Sequence, residues 1–186
     1  MGQSKLMDVL ERSPVIAAVR DDGFAAAIVS PCEVIFYLKA NINTLVQRCE
    51  AARACHKLLF VHIDLAEGLG KDKSAVEYLA SLGVHGIVST RASMIRWARE
   101  CGLMTVQRFF ALDSLGIIAI DEMLESVKPD MMELMPGVIP KLIRRFSEGR
   151  IPVIAGGLVQ TKSEVTEALS AGAAAVSTGT QALWHI

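Results

Sequence analysis

Eight short apolar runs recur along the chain. They are "PVIAAV" (14–19), "VIFYL" (34–38), "LLFVHIDL" (58–65), "GIVST" (86–90), "MTVQRFF" (104–110), "DMMELM" (130–135), "PVIAG" (152–156) and "AAAVST" (173–178). Most are continuous rather than alternating, the pattern of parallel strands covered on both faces. Between them the apolar positions change to a helical period. Val76, Leu79 and Ala80 share one face in 73–82, Leu142, Ile143 and Phe146 in 138–148, and Val165, Ala168 and Leu169 in 161–171. Thr161 with Glu164 has the spacing of a capping box. Gly83, Gly102, Gly149 and Gly172 each follow a helical segment, where a left-handed residue stops a helix. Pro140 suits a first helical turn.

This alternation gives a strand–helix unit eight times, with no linker and no low-complexity segment, so residues 1–186 read as a single domain. Eight parallel strands close naturally into a barrel. The predicted class is α/β, a short (β/α)8 TIM-type barrel with a truncated last helix. "QALWHI" leaves barely a turn after the eighth strand, and the first helix, around "FAAAIVS" (24–30), is also short. An open doubly wound sheet is the alternative. Thin cover beside the truncated helix predicts an exposed apolar surface and a homo-oligomer.

Composition narrows the picture. With 186 residues and 52% hydrophobic content, the chain is long and apolar enough for a sizeable core, which excludes disorder. No apolar run approaches the roughly 20 residues of a membrane span. "MGQSKLMDVLERSP" carries scattered charges and lacks the apolar centre of a secretory leader. Leu6 stands where a myristoylation signal wants Ser or Thr. Cys32, Cys49, Cys55 and Cys101 form no CxxC pair and read as buried thiols in a reduced, cytoplasmic compartment. The net charge is −1, from 19 Lys and Arg against 20 Asp and Glu. Any nucleic-acid contact must therefore use a local patch, not the field of the whole surface.

In such barrels the functional loops follow the carboxyl ends of the strands. Those ends carry Arg20-Asp21-Asp22, Lys39 and Asn41, Asp64 to Glu67, Ser89-Thr90-Arg91, Arg108 and Asp113-Ser114, and Glu133 with Gly137. Strands seven and eight are followed by Gly156-Gly157 and Ser177-Thr178-Gly179-Thr180. These last two loops are the usual phosphate site of the fold, and glycine lets the backbone approach an anion closely. The plainer alternative is two tight turns.

Asp64 closes an apolar strand, where a carboxylate needs a partner. It is either a ligand-orienting or catalytic group or half of an ion pair with a neighbouring Lys or Arg. His62 shares its face and reads as a hydrogen-bonded core histidine. Glu133 either accepts hydrogen bonds from ligand hydroxyls or joins an ion pair inside the barrel. Lys39 offers a cation to a phosphate or carboxylate, or less simply a Schiff-base lysine. No H-x-H or HExxH spacing predicts a metal site. Lys141, Arg144, Arg145 and Arg150 cluster in "KLIRRFSEGR", with Arg96 and Arg99 nearby, as a solvated face or a nucleic-acid patch.

"FVHIDLAEGLGKD" (60–72), "GIVSTR" (86–91), "TVQRFFALDS" (105–114), "PDMMELMPGVIPK" (129–141), "PVIAGGLV" (152–159) and "AGAAAVSTGTQALW" (171–184) follow in that order. Together they resemble the glycerol uptake operon antiterminators, the glycerol-3-phosphate-responsive regulators of bacterial glycerol genes. The likeness runs nearly end to end, and the block "ELMPG" with "IAGGL" and a terminal "LW" is its most specific part. The resemblance implies a barrel that does not catalyse. It implies glycerol 3-phosphate as effector, no cofactor, and binding of leader mRNA so that transcription passes a terminator. It puts Asp64 in an "HxDL" motif, Glu133 and Gly137 in "E-x-x-PG", and Gly156, Gly157, Ser177 and Thr178 in the phosphate loops. The chain departs from the family pattern at Lys39, Ala66-Glu67 and Gly179. The competing expectation is a phosphosugar isomerase or aldolase, with Asp64 or Glu133 as base beside Lys39.

Overall fold

Strand β1 (Val15–Val19) pairs in parallel with β2 (Val34–Tyr37). The ladder continues through β3 (Leu58–His62), β4 (Gly86–Ser89), β5 (Met104–Phe110), β6 (Met131–Met135), β7 (Val153–Gly156) and β8 (Ala175–Thr178). β8 returns to β1, so the sheet is a closed barrel. The computed structural model describes residues 2–186. The outer helices are α2 (Phe24–Val29), α3 (Ile42–Ala54), α4 (Lys73–Ser81), α5 (Ala92–Glu100), α6 (Ser114–Val127), α7 (Pro140–Ser147) and α8 (Lys162–Ser170). The predicted closed barrel is thus observed, and the open sheet is not.

Inside the barrel the apolar side chains of alternate strand positions stack in layers. Ile16, Phe36, Phe60, Val88, Val106, Met131, Ile154 and Ala175 belong to one interior cluster. Outward-facing positions such as Ile35, Val61, Ile87 and Leu134 pack under the helices in a second, larger cluster. Both faces of every strand are therefore covered, which is why the runs read as continuous.

One element escaped the sequence reading. The amino-terminal stretch, considered there only as a targeting segment and rejected as one, forms α1 (Gln3–Arg12), ahead of β1. Leu6, Val9 and Leu10 have the i, i+3, i+4 spacing of one helical face and are buried. They join the interior cluster beside Val34 and Met104 at the strand starts, so α1 plugs the amino-terminal end of the barrel. Burial of each such side chain contributes roughly 1.5–3 kcal/mol.

The helix signals hold with exceptions. Thr161 and Glu164 form the predicted capping box, and Pro140 opens α7. Gly83, Gly102 and Gly172 take left-handed φ, but Gly149 does not. Cys32 and Cys49 are buried, whereas Cys55, at the end of α3, is exposed. The last helix is a 3-10 segment (Gln181–His185). It covers its stretch of wall better than its length suggests, because Leu183 and Trp184 are buried and Trp184 Nε1 donates to Thr178 O at 2.9 Å. Exposed apolar side chains remain at Ile186 just after it and at Val29 on α2, and others cluster after β5 at Leu112, Leu115 and Ile118.

Candidate ligand-binding site at the barrel mouth

The interior layer nearest the carboxyl ends of the strands mixes polar groups with Ala18 and Leu38, whereas the interior cluster beneath it is apolar. His62 from β3, Arg108 from β5, Glu133 from β6 and Ser177 from β8 all point inward, in phase with Phe60, Val106, Met131 and Ala175 one pleat below. Arg108 and Glu133 are register partners on adjacent strands. Arg108 Nε donates to Glu133 Oε2 at 2.6 Å, and Ser177 Oγ donates to Glu133 Oε1 at 2.5 Å. The ion pair is deeply buried, with side chains only 8% and 1% exposed. The alternative of an ion pair inside the barrel is therefore realised for Glu133, and it does not remove the group from the site, because both partners line a cavity.

The chain of contacts continues across the mouth. Arg108 Nη1 lies 3.4 Å from His62 Nδ1. Arginine can only donate, so a hydrogen bond at this contact has Nδ1 as its acceptor. Nε2 is buried without a hydrogen-bond partner, its nearest acidic neighbour being Asp64 Oδ2 at 3.6 Å. Asp64 is the middle residue of a 3-10 turn (Ile63–Leu65) where β3 stops short of the predicted strand end. Its carboxylate accepts from Ser89 Oγ at 2.7 Å and from Thr90 N at 2.6 Å and Oγ1 at 2.9 Å. Burial works to raise its pKa, but His62 and the Thr90 and Ser89 donors together hold it well below the usual carboxylate range. Arg91 Nε stands 3.8 Å away, half-exposed. Asp64 thus anchors the β4–α5 loop and touches the centre of the mouth only through His62.

The glycines divide into two kinds. Gly137 and Gly156 are glycines because of crowding. A Cβ on Gly156 would lie 2.5 Å from Glu133 Oε1 and 2.7 Å from Ser177 Oγ. A Cβ on Gly137 would lie 2.6 Å from Gly156 N, and Gly137 N donates to Gly156 O at 2.6 Å. Gly157 instead carries φ +74°, and Leu158 beside it is also left-handed at φ 64°. Two consecutive residues in this region make a sharp loop over the barrel mouth, at a cost of order 1–3 kcal/mol for the non-glycine residue.

A cavity of about 130 Å³ opens between this loop and the β8 loop, lined by Arg108, Glu133, Gly157, Leu158, Ser177 and Gly179 among others. The Thr178 hydroxyl stitches the two loops together, donating to Val159 O at 2.8 Å and accepting from Thr180 N at 3.1 Å. The hydroxyl protons of Ser177 and Thr178 are therefore committed within the protein, and their role is to hold the site in shape. Arg108, which the sequence reading placed only among the mouth residues, is at its floor. Lys39 is not brought to this cavity. It sits at the rim in an ion pair with Glu67 at 2.8 Å. Among the other mouth residues, Asn41 and Asp113 cap α3 and α6, and Asp21 takes hydrogen bonds from Tyr37 and Arg48. On α7, Lys141, Arg144 and Arg145 are exposed; Arg145 pairs with Asp121 and stacks on Phe146. Among the described residues no cluster of His, Cys, Asp and Glu could hold a metal ion, and no helix is long and apolar enough to cross a membrane.

A closed parallel barrel with polar groups at its mouth and a glycine-lined cavity at strands seven and eight defines a TIM-type protein with a candidate ligand site in the place usual for the fold. The chain belongs to the glycerol-3-phosphate responsive antiterminator family, whose model matches residues 15–184. It is similar to the crystal structure of a glycerol uptake operon antiterminator regulatory protein from Listeria monocytogenes, at 31% identity and TM-score 0.86, over 91% of this chain and 94% of that one. A glycerol uptake operon antiterminator-related protein from Thermotoga maritima gives 32% identity and TM-score 0.83, over 92% and 98%. The protein YgcP of Escherichia coli, itself uncharacterised, is 36% identical over 97% of this chain and 96% of its own length.

Proposed function

We propose that the cavity between the β7 and β8 loops binds glycerol 3-phosphate, and that its occupancy licenses binding of the leader mRNA of glycerol-utilisation genes in the cytoplasm, so that transcription passes a terminator. The phosphate lies against the backbone of Gly157 and Gly179, where no side chain keeps it at a distance. Glu133 accepts from the glycerol hydroxyls, and Arg108 holds the carboxylate in place while adding a cation to the floor. Asp64 orients His62 from across the mouth, and Lys39 adds positive potential at the rim. Lys141, Arg144 and Arg145 form the RNA patch, and Leu112, Leu115 and Ile118 offer a surface for self-association.

The observation that carries this reading is the buried Arg108–Glu133 pair at the bottom of a glycine-lined cavity in a chain of this family. Sensing needs only that the ligand favour one state of the protein. Binding to a glycerol-operon leader RNA, measured at fixed salt with and without glycerol 3-phosphate, tests it. Tighter binding with the ligand supports the reading. Tight ligand binding with no RNA binding in either condition overturns the regulatory half and directs attention to phosphosugar turnover.

A further inference from the structure

A second cavity adjoins the first. It has a volume of about 330 Å³ and runs between the ends of β1 and β8, lined by Arg20, Asp22, Gly179, Gln181 and Trp184. Ala18, Leu38 and Gly179 line both cavities, so the two lie side by side at the mouth. Small-molecule pockets occupy roughly 300–1,000 Å³. The cavity over Glu133 falls below that range by itself, and the pair together reach it.

Gly179 marks the junction. It is not in the left-handed region, and a Cβ there would meet nothing nearer than Ala18 O at 3.4 Å. Neither backbone conformation nor tight packing demands glycine at this position. A side chain there would add bulk to the wall that the two cavities share. The far wall carries one cation and one carboxylate, and neither Arg20 nor Asp22 is in an ion pair among the described residues. An uncharged occupant would desolvate Asp22 and give nothing back. An ammonium group would meet it with a charge-assisted hydrogen bond.

We propose that the second cavity receives the outer arm of a phosphodiester, with the phosphate at the glycine loops, the glycerol at Glu133, and an arm that ends in an ammonium group beside Asp22. This rests on the phosphate reading of the first cavity and extends it from a monoester to a cation-bearing diester. Arg20 stands in the same wall to balance the negative charge that the diester retains.

The test is calorimetric titration of the full chain with three probes: glycerol 3-phosphate, glycerophosphoethanolamine, and glycerophosphoglycerol, whose arm carries no charge. The parent protein is expected to bind the ethanolamine diester at least fivefold tighter than the glycerol diester. Asp22→Asn, an exposed position outside the first cavity, is expected to erase that preference and to change glycerol 3-phosphate affinity by less than twofold. Equal affinity for the two diesters in the parent, or a preference that survives Asp22→Asn, overturns the inference. Binding of glycerol 3-phosphate with neither diester bound also overturns it and leaves the first cavity's reading standing. Failure of all three probes overturns both.

Discussion

Arg108 and Glu133 face one another across adjacent strands of a barrel interior, Nε to Oε2 at 2.6 Å, with almost no solvent on either side. Breaking such a pair on one side leaves a buried charge alone and costs about 3–5 kcal/mol, whereas replacing both with apolar groups of similar volume is often neutral. Glu133→Ala is therefore expected to lower stability by about that amount. The double change Arg108→Met with Glu133→Leu is expected to recover most of it and still to abolish glycerol 3-phosphate binding. Urea unfolding followed by fluorescence, with calorimetry on each variant, separates the two effects. A double variant that binds ligand like the parent removes the pair from the site.

Gly156 lies against that carboxylate. Because its Cβ would sit 2.5 Å from Glu133 Oε1, Gly156→Ala must push Glu133 or Ser177 aside. Overpacking of this kind costs about 1–3 kcal/mol. Gly179→Ala is the contrasting case, since its Cβ reaches only ordinary contact with Ala18 O. Thermal melts should show a lower Tm for Gly156→Ala and none of that loss for Gly179→Ala. Equal melts for the two would mean that the crowding around Glu133 relaxes freely.

Asp64 couples the mouth to pH. Its pKa is lowered in the folded protein, with burial opposing and the neighbouring His62 together with the Thr90 and Ser89 donors prevailing. An unfolded aspartate titrates near 3.9. Well above that value the stabilisation is fully present. As pH falls below it the unfolded chain takes up the proton first, and the stabilisation drains away until the folded pKa is passed. Unfolding measured from pH 7 to pH 3 should show the parent's advantage over Asp64→Asn constant down to about pH 4.5 and shrinking below it. A gap that stays constant through pH 3 would show that the carboxylate is not held in its charged form.

The barrel was legible because parallel strands buried on both faces leave unbroken apolar runs, and the residues at their ends are forced to the mouth. "PVIAGG" and "VSTG" pointed to the β7 and β8 loops by the same logic. The mouth's internal wiring was not legible. Arg108 and Glu133 are 25 residues apart in sequence and meet only through the β5–β6 register, which no local pattern states. The hydroxyls of Ser177 and Thr178 read as ligand contacts, yet whether a hydroxyl turns to a ligand or to a neighbouring strand depends on that same register. Helix α1 was within reach, since Leu6, Val9 and Leu10 have helical spacing, but a charged amino-terminal stretch invites a reading about targeting rather than about a plug.

The basic face of α7 divides in a way the sequence does not show. Arg145 is tied to Asp121 and lies over Phe146, while Lys141 and Arg144 are exposed and enter no ion pair among the described residues. The last two are free to meet phosphates, and each contact made releases counterions from the RNA. Lys141→Ala with Arg144→Ala is therefore expected to weaken leader-RNA binding and to flatten the slope of log affinity against log salt by about 1.5, at roughly 0.7–0.9 per phosphate contact. Arg145→Ala removes a surface pair that contributes about 0–1 kcal/mol and should move the slope less. Fluorescence anisotropy across a salt series, with glycerol 3-phosphate saturating, reads both. An unchanged slope in the double variant places the RNA on another face of the barrel, and a larger change in Arg145→Ala means that this arginine leaves Asp121 when RNA arrives.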